Sequence, residues 1–225
     1  MIRLLATLTS GRSPLCCRLR GPVYPSESYS GLSNLRDKFV TRRELLARRN
    51  GVSPDGRDAA SYGIAERVRV VLADHGMLGS TIALYAAKGS EVDTGTIDSE
   101  VRKAGGHVAY PRVVDRTLEL AFHRVTPDEL IAGSFGLREP RPDSKTRVPL
   151  TDIGAYIVPG IAFDKDGWRI GWGRGHYDAT LSVSSERALR LGIAFECQII
   201  RHVPHEPHDA RLQFVITELA TYKAV

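Results

Sequence analysis

The sequence predicts a single three-layer α/β/α domain on a mostly parallel sheet, from three observations. Short apolar runs without helical period alternate with amphipathic stretches between residues 53 and 218. That alternation marks strand–helix–strand units whose sheet is covered on both faces. A glycine-rich segment at 171–175 stands between one such run and a helical stretch. Finally, 225 residues with 42% hydrophobic and 25% charged side chains suit one large α/β domain.

The elements follow in order. Residues 34–50, NLRDKFVTRRELLARRN, place Leu35, Phe39, Leu45 and Leu46 among five arginines and a lysine, an amphipathic helix with a cationic face. Ser53-Pro54-Asp55 is a helix start, with serine at the N-cap and proline at the first helical position. Apolar residues at Ile64, Val68, Val71 and Leu72 carry that helix to about Asp74, and Gly76 ends it. TIALYA at 81–86 reads as a buried strand, 95–104 as a helix, and 107–111 and 119–125 as strands. Residues 136–149 hold Pro140, Pro142 and Pro149 and are expected to form a loop. IGAYIVP at 153–159 is a buried strand, a helix begins near Tyr177, and 190–196 and 213–218 are further strands.

The first 33 residues read differently. They are rich in Arg, Ser and Leu, lack acids until Glu27, and are interrupted by Pro14, Pro22 and Pro25. An organellar transit peptide and an unstructured extension without function both fit. Either leaves residues 1–33 outside the fold, with 34–225 as the domain. The expected compartment is the cytoplasm, or the mitochondrion if a eukaryotic host cleaves the segment. Residues 1–26 also explain the net charge of +5: without Arg3, Arg12, Arg18 and Arg20, 27 basic residues face 26 acidic ones. A nucleic-acid-binding body is therefore not expected. No run of eighteen apolar residues exists, so a transmembrane helix is not expected either. Cys16, Cys17 and Cys197 do not make a disulfide framework and suggest a reducing compartment.

The chemistry concentrates in PGIAFDKDGWRIGWGRGHYDATL, residues 159–181. Gly171, Gly173 and Gly175 alternate with single residues ahead of a helix, an arrangement that lets backbone N–H groups surround phosphate oxygens. Arg169 and Arg174 add full charges. A P-loop is absent, and His176 stands where a dinucleotide fingerprint needs its third glycine. A glycine-rich turn that only permits a bend is the competing reading. His202, His205, His208 and Asp209 invite a metal-site reading, but Pro204 and Pro207 forbid a regular helix, so a histidine-rich loop is preferred. Cys197 is expected as a small buried residue closing a strand, and Trp168 and Trp172 as packing residues beside the loop.

RIGWGRGHYD, preceded by VPGIAFD, resembles the signature of the 5-formyltetrahydrofolate cyclo-ligase family, also called methenyltetrahydrofolate synthetase. Other motifs match in the family's order: Lys38 and Arg42 in K-x-x-x-R, Tyr85 with Glu91-Val92-Asp93-Thr94, and Tyr110-Pro111-Arg112-Val113. GSFGLREP at 133–140 and HDARLQFVITE at 208–218 complete the set, over about residues 34–218. Departures are Thr41 for a leucine, His176 for the first of two tyrosines, Gly106-His107 at a usual lysine, and Arg174 at a usual glycine or lysine.

The resemblance implies an ATP- and Mg²⁺-dependent ligase of one-carbon metabolism that cyclises 5-formyltetrahydrofolate to the 5,10-methenyl form, acting as a monomer without nucleic-acid or membrane partners. By the same resemblance, ATP is bound by Lys38, Phe39, Val40, Thr41 and Arg42, and by Arg169, Ile170, Gly171, Trp172, Gly173, Arg174, Gly175, His176 and Tyr177. Glu91, with the backbone near Ala86, holds the pteridine, and Tyr177 lines the junction between substrates. Arg174 and Tyr177 are the implied catalytic residues, and Asp178 and Asp209 the implied metal ligands. Read without the resemblance, Lys38 is an ordinary solvated lysine, Glu91 a turn cap, and Asp178 an acid at a helix N-terminus.

Overall fold

Apolar side chains on both faces of the central strands dictate the architecture of the computed structural model, which describes residues 29–143 and 145–224. Four helices occur among the described residues: α1 (Tyr29–Asn50), α2 (Pro54–Asp74), α3 (Gly95–Lys103) and α4 (His176–Ser182). The strands are β1 (Thr81–Ala83), β2 (His107–Arg112), β3 (Ala121–Arg124), β4 (Ile131–Ala132), β5 (Arg138–Glu139) and β6 (Arg147–Val148), then β7 (Ile153–Val158), β8 (Ala162–Phe163), β9 (Arg169–Ile170), β10 (Leu189–Ile193), β11 (Phe214–Ile216) and β12 (Thr221–Lys223). The main sheet runs β12-β11-β10-β7-β1-β2-β3-β6. Its five middle strands are parallel, and β12, β3 and β6 pair antiparallel at the edges. The expected mostly parallel α/β sheet is therefore present.

Residue alternation explains the two buried faces. Ile82, Val108, Ile157, Leu191 and Ile216 meet Ile64, Val68 and Leu72 of α2 and Ile97 and Val101 of α3. Their neighbours Ala83, Ala109, Tyr156, Val158 and Val215 face the other way, toward Phe163 and Leu181 of α4. The second helical layer is thus thin, one short helix plus loop segments. Helix α1 packs instead through Leu45 on Ile161, Ala162, Ile170 and Val203, around the β8–β9 hairpin.

Local signals acted as expected around α2. Ser53 Oγ accepts the Gly56 amide at 3.2 Å, Pro54 opens the helix, and Gly76 takes φ +68° to turn the chain out. Other boundaries moved. Helix α1 opens at Tyr29, five residues ahead of Asn34, while residues 1–28 of the proposed extension lie outside the described residues. The expected loop at 136–149 contains β5 and β6, because Arg147 and Val148 extend the sheet edge beside β3. Strand β10 ends at Ile193, so Cys197 lies in a 3₁₀ turn over Glu196–Gln198 and is only partly buried. Burial there pushes its thiol pKa up, which suits an unreactive sulfur.

Candidate active site

Strand order reverses between β1 and β7: from β1 the chain proceeds to β2 on one side, and from β7 to β10 and β11 on the other. In open α/β sheets ligands bind at such a switch point, beyond the strand carboxyl ends. Tyr85 and Ala86, just after β1, and Pro159, just after β7, line a cleft of about 880 Å³ there. The glycine loop runs from β9 to α4, as a strand–loop–helix segment, and β9 belongs to the separate hairpin rather than to the main sheet. The hairpin grows from the end of β7 and so delivers Gly171–Gly175 to the same cleft.

One end of the cleft is cationic. Arg42 Nε donates to the Gly171 carbonyl at 2.8 Å, and Gly173, at φ +87°, lets the guanidinium lie so close that a Cβ would stand 3.1 Å from it. Arg174 stacks at 3.5 Å on the ring of Phe135, itself held at φ +58°. Neither guanidinium has a carboxylate within 4 Å among the described residues, so each keeps a full charge for an anion.

Lys38 and Arg169 are different, because each is already paired. Lys38 Nζ donates to Asp209 Oδ2 at 2.9 Å and lies 3.6 Å from Glu206. Arg169, nearly buried, donates to Asp178 Oδ1 at 2.7 Å and to the Ala210 carbonyl at 2.6 Å. The Ala210 amide donates to the same Asp178 oxygen at 3.0 Å. Among the described residues, each carboxylate therefore has one oxygen tied and one open: Asp178 Oδ2 accepts no hydrogen bond, and Asp209 Oδ1 meets only His208, at 3.8 Å. Burial disfavours the Asp209 carboxylate, but Lys38 and the Glu206 amide outweigh it and hold its pKa below the usual carboxylate range. Two carboxylates with open oxygens beside a glycine-rich loop have the donor chemistry that suits Mg²⁺, which is held by one or two carboxylates plus phosphate and water.

The other end carries the expected substrate groups. Glu91 Oε2 accepts the Lys88 amide at 3.0 Å, and its Oε1 lies 3.4 Å from Trp172 Nε1. Trp172 is 56% exposed, more open than a packing residue; Trp168 does pack, stacked on His205 at 3.9 Å between ring centres. The Tyr177 hydroxyl is buried and without a hydrogen-bond partner among the described residues. Burial first, then the Glu91 charge, raises its pKa, so it stays protonated and able to donate. A buried, unsatisfied hydroxyl beside a cleft is a ready site for a polar ligand atom. His176 meets the Leu118 carbonyl through Nδ1 at 2.8 Å and so acts there as donor.

Of the residues singled out in the sequence, Lys38, Arg42, Ala86, Glu91, Arg169 to Asp178 and Asp209 all border this cleft. Phe39, Val40 and Thr41 do not: Phe39 is 64% exposed on the outer face of α1, with Val40 also outward. Sequence reasoning missed Arg49, Lys88, Phe135, Glu139 and Glu206, which also border it. Arg49 had a legible signal, since 38, 42 and 49 share one face of a 3.6-residue helix. Glu139 sits inside the GSFGLREP segment; it is 2% exposed, and a Cβ on Gly133 would collide with it at 2.5 Å.

Known proteins resemble this chain over nearly the whole domain. Residues 34–218 match the model of the 5-formyltetrahydrofolate cyclo-ligase family. The 5-formyltetrahydrofolate cyclo-ligase of Mycolicibacterium smegmatis is 30% identical over 81% of this chain and 94% of its own length. That of Escherichia coli is 27% identical over 77% and 96%. Among solved structures, the 5,10-methenyltetrahydrofolate synthetase of Aquifex aeolicus superposes with a TM-score of 0.70 at 28% identity, covering 83% of this chain and 92% of that one. The Mycoplasma pneumoniae 5,10-methenyltetrahydrofolate synthetase, 23% identical, shares the fold with a TM-score of 0.66 over 81% and 99% of the two chains. With the cleft, the glycine loop and the ordered motifs in one continuous match, the chain belongs to the 5-formyltetrahydrofolate cyclo-ligase family.

Proposed function

We propose that this protein converts 5-formyltetrahydrofolate to 5,10-methenyltetrahydrofolate at the expense of ATP, releasing ADP and phosphate. The observation that carries the reading is one cleft with two unlike ends. Arg42, Arg174 and the glycine loop suit a polyphosphate, while Glu91, Trp172 and the buried Tyr177 hydroxyl suit a flat, nitrogen-rich ring.

The chemistry needs little covalent help. The N5-formyl oxygen is an amide oxygen and a poor leaving group. Transfer of the γ-phosphoryl group to it makes an imidate-like phosphate; N10 attacks the activated carbon, the ring closes, N10 loses its proton and phosphate departs. Catalysis is then positioning and charge compensation. Arg174 compensates the transferring phosphoryl group, Arg42 and the loop amides grip the nucleotide phosphates, and Glu91 accepts from the pteridine's donor nitrogens. Tyr177 donates where the two substrates meet. Asp178 and Asp209 would hold Mg²⁺, aided by Arg169 and Lys38, which fix the orientation of each carboxylate. When bound, that ion supplies charge that screens the phosphates and polarises the transferred group.

The test is direct, because the methenyl product absorbs in the near ultraviolet where the substrate does not. Purified protein with 5-formyltetrahydrofolate, ATP and Mg²⁺ should give a rise in absorbance that stops when any one is omitted. No rise with all three rejects the reading. The domain acts as a monomer, which light scattering at the chain mass of 24.7 kDa checks. Among the described residues no helix is long and apolar enough to cross a membrane.

A further inference from the structure

Arg49 lies in the last turn of helix α1 with its side chain inside the cleft wall and only 2% of the residue exposed. A buried guanidinium is costly unless it is paired, yet no carboxylate stands within 4 Å of this one among the described residues. Its contacts are specific instead. Nε donates to Ser90 Oγ at 3.0 Å, and Nη1 to the Gly160 carbonyl at 3.4 Å, just past the end of β7. Ser90 in turn donates to Asn50 Oδ1 at 2.5 Å. The guanidinium carbon lies 6.0 Å from the centre of the Trp172 ring. Burial lowers the Arg49 pKa, and the charge that opposes this most is that of Glu91, the residue that follows Ser90.

These contacts join parts of the cleft that are distant in sequence. Lys38 and Arg42 lie on the same face of α1 as Arg49 and reach the carboxylate and glycine-loop end of the cleft. From Lys38 to Arg49 the helix advances about 16 Å, at 1.5 Å per residue. At its far end, Arg49 and Asn50 both grip Ser90, and with it the turn that presents Glu91.

We infer that Arg49 is a positioning residue for the folate half of the site: through Ser90 and Gly160 it fixes the Glu91 turn against β7 and α1. Helix α1 thereby sets the separation of the nucleotide and folate ends with one rigid element. This inference rests on the folate reading of the Glu91 end proposed above.

The test measures the two ligands separately. Calorimetric titrations with 5-formyltetrahydrofolate, and with a non-hydrolysable ATP analogue, are run on the full-length wild type, Arg49→Met, Arg49→Lys and Ser90→Ala. Arg49→Met should weaken folate binding by about tenfold or more, the scale of a lost charge-assisted hydrogen bond. The ATP analogue should stay within about twofold. Arg49→Lys should recover part of the loss, and Ser90→Ala should weaken folate about threefold in the same selective way. Equal losses for both ligands, or unchanged folate binding in folded variants, overturn the inference. If Arg49→Met does not fold, Ser90→Ala decides, since it removes one hydroxyl. A wild type that binds folate but forms no methenyl product rejects the proposed reaction without touching this result. A wild type that does not bind folate overturns both.

Discussion

Lys38 Nζ lies 2.9 Å from Asp209 Oδ2, across 171 residues of sequence. This bond clasps α1 to the loop ahead of β11, so the cationic end of the cleft is assembled from both ends of the domain. It also changes what Lys38 contributes. Part of its charge is offset by Asp209, whereas Arg42 and Arg174 meet no carboxylate among the described residues.

The two ends of the cleft should separate kinetically. Lys38→Ala loses a charge-assisted hydrogen bond worth roughly 1.5–3 kcal/mol, about 10- to 150-fold in an apparent constant. That loss should appear mainly as a raised KM for ATP, and Glu91→Ala should do the reverse and raise the KM for the folate. A steady-state matrix with both substrates varied reads this, with thermal melts as controls. Equal losses on both substrates for both variants, with unchanged melting, would sink the residue assignments and leave the fold intact.

Asp178→Asn should lower kcat more than either KM, because metal-held charge matters most as phosphoryl transfer proceeds. Excess Mg²⁺ should rescue it only in part. The same variant leaves Arg169 nearly buried beside a neutral amide. A stability loss of about 1.5–3 kcal/mol is expected, roughly 3–12 °C in Tm for a chain of this size. A fully active, equally stable Asp178→Asn would contradict both roles.

Gly173→Ala tests the loop's geometry. At φ +87° an L side chain is strained by about 1–2 kcal/mol, and its Cβ would press on the Arg42 guanidinium at 3.1 Å. ATP binding should weaken several-fold and Tm should fall modestly. Gly171→Ala, where a Cβ meets nothing within 4 Å, should be much milder. Indistinguishable variants would show that the close approach of Arg42 has no bearing on nucleotide binding.

His123 gives a pH prediction away from the cleft. Burial lowers its pKa below the ordinary 6.5, with Arg147 and Arg112 pushing the same way. On acidification the unfolded chain therefore takes up this proton first. Stability falls as pH drops through about 6.5 and levels off once the folded pKa is passed. His123→Gln should flatten that part of the Tm profile between pH 7.5 and 5.5 relative to wild type. Parallel profiles would rule out the contribution.

Strand and helix types were legible where local chemistry decides them. The Ser53-Pro54 start of α2, its Gly76 exit, and the double-sided apolar runs of β1 and β7 needed only sequence. Short strands were not legible. Strands β6 and β12 have little apolar pattern of their own and exist because β3 and β11 offer unpaired edges. The β8–β9 hairpin was hidden for the same reason, since each strand is two residues long and its pairing reflects the turn at Gly167, with φ +89°.

At the site, the sequence by itself determined the chemical types: the cations, the glycines, and the carboxylates Glu91, Asp178 and Asp209, in an order that identifies the family. Their expected roles came from the resemblance of the ordered motifs to the family; spacing alone left Glu91 a turn cap and Asp178 an acid at a helix N-terminus. Only the tertiary structure decided how charges were shared. Whether a lysine is free or paired depends on what lies within about 4 Å, where Coulomb energy and desolvation compete. For Lys38 that neighbour is Asp209, 171 residues away, for Arg169 it is Asp178 on α4, and for Arg49 it is Ser90 on another loop.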